Sequence, residues 1–349
     1  MRPRLPRLSP DRSALDRLLW LVALLALLMG LSWSNAGAAD RPLLLDAREY
    51  PWSAIGRINA AGRGFCTGVL VSPRAVLTAA HCLYYQRDAR WFAPDEIHFV
   101  AGYQRDRWLA HSRAADYSVE PGYKPRTETS LEAVLDDWAV IVLQKPIGQQ
   151  VGWIGIQAIT RGLLRQLKEG DMRAAQVGYR RDRPHAQTVR APCAVPGAYG
   201  KGRGLLHDCD VIEGASGSPL LIFQEGQPLV IGVHTVRAET DEGEAYAGVL
   251  SANVFHPKAG AAEAIKAGQA AKISWGKGRG PKGGGEARAL PKQTIAQLLE
   301  RLGYLAEGKE ASAKSRESAI RSFEDRTGLP ITGRPTVALL GALLGALEK

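Results

Sequence analysis

The sequence predicts a mainly β fold followed by a small three-helix unit, and three observations carry that expectation. From about Pro42 to Phe255, short apolar or alternating runs recur between Gly, Pro and Asp: Ile55 to Ile58, Gly68 to Val71, Ile97 to Ala101, Ala139 to Leu143, Leu220 to Phe223 and Val230 to Val233. Short strands with frequent turn signals predict an all-β barrel or sandwich. From Leu290 the period changes: Ile295, Leu298, Leu299 and Leu302 recur at three-to-four spacing, then Ala319, Ile320 and Phe323, then Val337, Leu339, Leu340 and Leu344. That is helical spacing, with Gly303, Gly328 and Gly333 as punctuation. Between the two regions, Gly276 to Gly285 holds Gly, Lys, Arg and Pro with almost nothing to bury, the composition of a linker.

In chain order, the first stretch carries Arg2, Arg4, Arg7, Arg12 and Arg17, an apolar run from Leu18 to Leu31, and Asn35-Ala36-Gly37-Ala38-Ala39 ahead of Asp40. This predicts a secretory signal peptide over residues 1–39, cleaved near Ala38 or Ala39. The competing reading, a retained membrane anchor, meets a run shorter than the roughly 20 apolar residues that a spanning helix needs. The expected chain is therefore exported, to the periplasm or beyond, with no stable membrane span after cleavage. Residues 40–258 form the expected β domain, 259–289 a basic Gly/Lys-rich linker that includes a short closing helix from Ala259 to Lys272, and 290–349 the helical domain. Brief helical exceptions are expected within the β domain, after Thr78 and over Ser130 to Leu135. A chain of 349 residues has room for both units.

Four cysteines in an exported chain point to disulfides. Cys66 and Cys82 flank a hairpin-like segment, and Cys193 and Cys209 bracket a glycine-rich loop, so these are the expected pairs. A zinc site of four thiolates would show Cys-x-x-Cys spacing, which the sequence lacks. The net charge of +10 is concentrated. The leader contributes +3, five Arg against Asp11 and Asp16, and residues 258–292 contribute +6, eight Lys or Arg against Glu263 and Glu286. A nucleic-acid face is not expected from charge placed in a leader and a linker. Two readings of the linker stand: contact with anionic wall polymers or lipid, or a solvated spacer extended by like charge.

The chemistry is carried by an ordered trio: Thr78-Ala79-Ala80-His81-Cys82, then Asp137-Trp138-Ala139-Val140, then Gly214-Ala215-Ser216-Gly217-Ser218-Pro219. A serine hydroxyl is a weak nucleophile at neutral pH, and needs an imidazole to take its proton and a carboxylate to hold that imidazole in one tautomer. His81, Asp137 and Ser216 supply the three groups, and the Gly214–Ser216 loop is expected to aim the N–H groups of Gly214 and Ser216 at an oxyanion. His98, His111, His185, His207 and His256 lack that context.

Each segment resembles the corresponding motif of the trypsin-like (chymotrypsin-fold) serine proteases, with Gly-x-Ser-Gly-Ser-Pro in the form of bacterial glutamyl-endopeptidase-like members. The resemblance implies two antiparallel six-stranded β-barrels, with His81 and Asp137 on the first, Ser216 on the second, and a protein or peptide substrate in the cleft between them. It selects Asp137 over Asp136, because Trp138-Ala139 follows the acid directly, and leaves Asp136 an ordinary exposed residue. Ala215 stands where animal members carry an aspartate that pairs with a freed N-terminus, so activity without such insertion is expected. The resemblance places Asp210, His234 and Thr235 around the P1 side chain. Asp210 points to basic P1 residues and His234 to acidic ones, so acidic, basic and broad preferences all stand. No metal, nucleotide or redox cofactor motif appears.

The C-terminal residues Leu298-Leu299, Leu302-Gly303-Tyr304, Ala319-Ile320-Arg321-Ser322-Phe323 and Gly328-Leu329-Pro330-Ile331-Thr332-Gly333 resemble a peptidoglycan-binding domain of bacterial wall enzymes. Two departures stand out. Gly308 to Lys314 lacks the glycines of that family's Asp-Gly-x-Phe-Gly-like loop, and Glu324 replaces its usual glutamine. Peptidoglycan is thus one expected partner, and a structural or protein-docking module the other reading. The expected function is an exported serine endopeptidase that can dock to the wall. Its competitors are a catalytically silent protease-like binding module and a wall-attachment protein with incidental proteolysis.

Overall fold

The computed structural model describes residues 43–62, 64–125, 131, 134–239, 245–255, 278–280, 291–306 and 311–347. The leader, His256, the expected closing helix and most of the basic linker lie outside these residues, as do residues 130, 132 and 133 and residues 308–310. Among the described residues, no helix is long and apolar enough to cross a membrane.

The first strands are β1 (Leu43–Leu44), β2 (Ile55–Ala60), β3 (Phe65–Leu70), β4 (Ala75–Thr78), β5 (Tyr84–Tyr85), β6 (Arg90–Trp91), β7 (Ile97–Ala101), β8 (Ala110–Val119) and β9 (Ala139–Leu143). There follow β10 (Gly155–Ile156), β11 (Ala174–Arg180), β12 (Arg183–Cys193), β13 (Gly197–Tyr199), β14 (Gly204–His207), β15 (Pro219–Gln224), β16 (Gln227–Glu239) and β17 (Ala245–Ser251). The helices are α1 (Gly148–Val151), α2 (Arg161–Glu169), α3 (Lys292–Arg301), α4 (Ala313–Thr327) and α5 (Val337–Ala346). The chain is mainly β with terminal helices, as expected.

Strands β2, β3, β4, β9, β8 and β7 close into a barrel. Ile58 stands opposite both Cys66 and Phe99, and Val76 opposite Ile141, so the apolar runs meet inside. All four residues of β4 are buried, which suits a strand covered on both faces.

The second β unit departs from the expected six strands. Its pairing runs β1-β12-β11-β15-β16-β17-β14-β13, with β10 added parallel to β16, a nine-stranded sheet. The extra strands are short: β1 lies on β12, and β13 folds back on β14 as a hairpin. Both expected disulfides are present, Cys66–Cys82 and Cys193–Cys209, with Cα separations of 6.0 and 5.2 Å.

The last three helices follow the predicted spacing. Ser312 and Thr336 cap α4 and α5 through their hydroxyls, and Gly328 ends α4 in the left-handed conformation. Helix α2 matches no apolar period noted in the sequence; Thr160 caps it and Gly170 ends it. Helix α5 packs on the sheet, against β12, β15 and β16, and α3 packs on both α5 and α4. Leu298, Phe323 and Leu340 belong to one apolar cluster with Trp52, Leu77 and Val230. Phe223 lies so close to Gly341 that an added Cβ would stand 2.5 Å from its own Cβ.

Candidate active site

Strand β4 delivers His81. Its buried residues Ala75 to Thr78 run into a single 3-10 turn over Ala80–Leu83, and the disulfide from Cys82 to Cys66 ties that turn to β3. Asp137 comes from the opposite direction, out of a turn closed by its own N–H donating to the carbonyl of Val134 and directly ahead of β9. Trp138 packs edge-on against Phe255 at 5.2 Å, which anchors the chain beside the acid.

The buried carboxylate of Asp137 holds His81 twice. Oδ1 accepts from the His81 backbone N–H at 2.9 Å, and Oδ2 lies 2.6 Å from Nδ1. With Nδ1–H directed at a carboxylate, Nε2 keeps its lone pair and is the basic nitrogen. Burial pulls the His81 pKa down, but the charge and hydrogen bond of Asp137 outweigh it and set the pKa above the ordinary value.

Ser216 sits in a tight loop between the two β units. Ala215 N–H donates to Ile212 and Ser218 N–H to Ala215, while Gly217 N–H donates to the carbonyl of His234 on β16. The Ser216 carbonyl accepts from Thr67 N–H on β3 at 2.9 Å. Gly217 has φ of +77°, and a Cβ there would lie 2.2 Å from both the Thr67 carbonyl oxygen and the Thr78 hydroxyl. Only glycine tolerates this approach. The loop thus rests on the end of the strand that delivers His81. Among the described residues, the N–H groups of Gly214 and Ser216 have no protein acceptor.

Ala215 is fully buried in a small apolar cluster with Val211 and Ala247. Asp136 is half-buried, not fully exposed as expected, and pairs with Arg203.

The three residues assigned to P1 recognition differ in their surroundings. His234 and Thr235 are buried, and the His234 backbone N–H donates to Ser218 at 2.8 Å, so both lie beside the serine loop. Burial, with lesser effects from His207 and His81, lowers the His234 pKa to about 3, so the free side chain is neutral. Asp210 is engaged elsewhere: Oδ2 pairs with Arg180 Nη1 at 3.1 Å and with Arg190 Nη2 at 2.9 Å. Arg180, buried itself, also binds Asp182. Neither arginine is marked by any local motif; both reach Asp210 only through the β11–β12 hairpin. The cysteine sulfurs near His81 and His207 are spent in disulfides.

Comparison with known proteins bears on the family. A family model described as Trypsin matches residues 45–257, a span that includes His81, Asp137 and Ser216. A glutamyl endopeptidase of Bacillus licheniformis is 25% identical over 212 residues, covering 58% of this chain and 60% of that protein. The chain therefore spans less than two thirds of that relative's length. A solved Glu endopeptidase in complex with MPD superposes with a TM-score of 0.51 at 21% identity, over 65% of this chain and 98% of that one, a likeness of fold. With more than half of its length matched by the family model, the chain belongs to the trypsin family of serine proteases.

Proposed function

We propose that the protein is an exported serine endopeptidase in which Ser216 attacks the scissile carbonyl, His81 takes its proton and returns it to the leaving amine, and Asp137 stabilises the imidazolium. The double grip of Asp137 on His81 carries this reading, because it fixes the tautomer that the base requires. Attack forms an acyl-enzyme, and water then releases it by the same base. The unengaged N–H groups of Gly214 and Ser216 are suited to the tetrahedral oxyanion, each such donor being worth about 3 to 4 kcal/mol of barrier. In this reading six strands of the sheet, β12, β11, β15, β16, β17 and β14, stand for the family's second barrel, with β1, β10 and β13 as additions. The apolar burial of Ala215 supports activity without insertion of a freed N-terminus.

For P1, an acidic side chain fits best. Asp210 has its charge taken by two arginines, which weighs against a basic P1 residue, while His234 and Thr235 lie next to the serine loop. The glutamyl endopeptidase relative points the same way.

Fluorophosphonate labelling tests the enzyme reading. Labelling of the folded wild type that disappears in Ser216→Ala supports it; no labelling of a well-folded wild type favours the silent binding module. A second reading adds wall docking through the helical unit, where a cavity of about 220 Å³ is lined by Lys292, Ile295, Leu299, Arg316, Ile320 and Pro335. Co-sedimentation of full-length Ser216→Ala with purified sacculi tests it, and recovery in the supernatant rejects it.

A further inference from the structure

His207 has no part in the chemistry above, yet it lies directly behind it. On β14 it stands opposite Ala247 of β17, while His234 on β16 stands opposite Val249 of the same strand. Residues two apart on a strand share a face, so the two imidazoles project on one side of the sheet. They meet edge to face, with centroids 6.0 Å apart and 69° between the planes. On its other side His207 is closed in by the Cys193–Cys209 bridge, since one ring nitrogen and the two sulfurs lie within 4.8 Å of one another.

Neither ring nitrogen of His207 has a partner among the described residues, and both are fully buried. The same holds for Nδ1 of His234 and Oγ1 of Thr235. Buried polar atoms are normally paired, because an unpaired one forfeits its hydration without return. A position that needed only filling would be better served by Phe or Leu. Four such atoms on adjoining residues beside the serine loop therefore point to a ligand group that joins them during turnover.

We propose that His207 is a positioning residue for the P1 side chain, forming with His234 and Thr235 a buried polar floor that selects a carboxylate over its neutral amide. The proposal rests on the acidic-P1 reading above. A P1 carboxylate brings an uncompensated negative charge to this floor. A proton drawn from solvent then balances it, and two adjoining imidazoles hold that proton where one ring backed by hydrocarbon could not. Burial lowers the pKa of both histidines to about 3, so the floor is uncharged until the carboxylate enters.

The test compares full-length wild type, His207→Phe and His207→Gln on paired peptides that differ only in Glu or Gln at P1, with fluorophosphonate labelling to count active molecules. Phe keeps the packing and Gln keeps polarity without a proton-accepting ring. In both variants, kcat/KM for the Glu peptide is expected to fall about tenfold or more, mainly through KM, while the Gln peptide changes less than about threefold. An unchanged Glu/Gln ratio in a variant that labels like wild type overturns the proposal and leaves the acidic-P1 reading standing. A wild type that cleaves both peptides equally overturns both. If neither variant folds, proton NMR of the wild type decides. N-acetylglutamate, but not N-acetylglutamine, must shift the His207 C2 proton, identified by its proximity to the Cys193 and Cys209 methylenes; a stationary resonance overturns the proposal.

Discussion

The carboxylate of Glu49 caps the helix that carries Thr294, 245 residues further along the chain. Oε1 accepts from the N–H of Gln293 at 2.8 Å, and Oε2 from the N–H and hydroxyl of Thr294 at 3.3 and 3.2 Å. The same hydroxyl accepts from the Trp52 indole at 3.1 Å. The first N–H groups of a helix have no partner within it, so an acceptor oxygen there satisfies them. The segment ahead of β2 thus fastens the first terminal helix, adding to the packing of α5 on the sheet.

Replacing Glu49 separates the hydrogen bonds from the charge. Glu49→Ala strips the cap and is expected to cost about 1 to 2 kcal/mol, whereas Glu49→Gln keeps an acceptor and costs less. Burial raises the Glu49 pKa, so the folded protein retains this proton at a pH where the unfolded chain has released it. The contribution of this group to stability therefore grows as pH falls through the raised pKa, and is lost as pH rises towards neutrality. Urea unfolding from pH 4 to 7 checks both points: the stability difference between wild type and Glu49→Gln should move in favour of wild type on the acid side.

For His81 the direction is opposite in its effect on rate. Only the neutral imidazole accepts the serine proton, so kcat/KM should rise with pH through a pKa above the ordinary histidine value, because Asp137 raises it. Asp137→Asn removes that cause. It should move the limb to lower pH and reduce kcat by about 10⁴-fold through the wrong tautomer. A pH–rate profile of both proteins measures this, and an unshifted limb would mean that Asp137 does not govern the base.

The candidate site was the most legible part of the sequence because each of its pieces is contiguous. Thr78 to Cys82 is the end of a strand plus one turn, and Gly214 to Pro219 is a single loop, so local chemistry and local structure coincide. The disulfide pairs were legible for the same reason. What escaped were relationships across the chain. Arg180 and Arg190 meet Asp210 only because β11 and β12 form a hairpin beside it, and His207 meets His234 only because β17 runs between their strands. The docking of the helices did leave a trace, since Val337 to Ala346 is apolar throughout and buries Leu339, Leu340, Leu343 and Leu344. Glu49 left none. A single acidic residue ahead of a strand carries no local sign that it caps a distant helix.

Gly217→Ala tests how tightly the serine loop is fitted. The substitution meets a left-handed backbone, and its Cβ would fall within 2.2 Å of Thr67 and Thr78, the residues on which the loop rests. Relief requires the loop to lift away from β4 and so from His81. Backbone strain of this kind costs about 1 to 3 kcal/mol. The expected result is a lowered melting temperature together with slower fluorophosphonate labelling per folded molecule; labelling at the wild-type rate would show that the loop moves without disturbing the serine.

Asp210→Asn separates two roles for one carboxylate. If Asp210 anchored a basic P1 residue, the change would abolish cleavage after Lys or Arg and leave stability untouched. Its pairing predicts the reverse. Arg180 and Arg190 lose a shared partner, but Arg180 keeps Asp182, and Asp210 is nearly half exposed, so the loss should be about 1 kcal/mol and visible as a small fall in melting temperature. In this pairing Asp210 is held by arginines and not by the substrate, so cleavage after Glu should be retained. Profiling wild type and Asp210→Asn with the same peptide library decides between them, and a selective loss of cleavage after Lys or Arg would return Asp210 to the substrate.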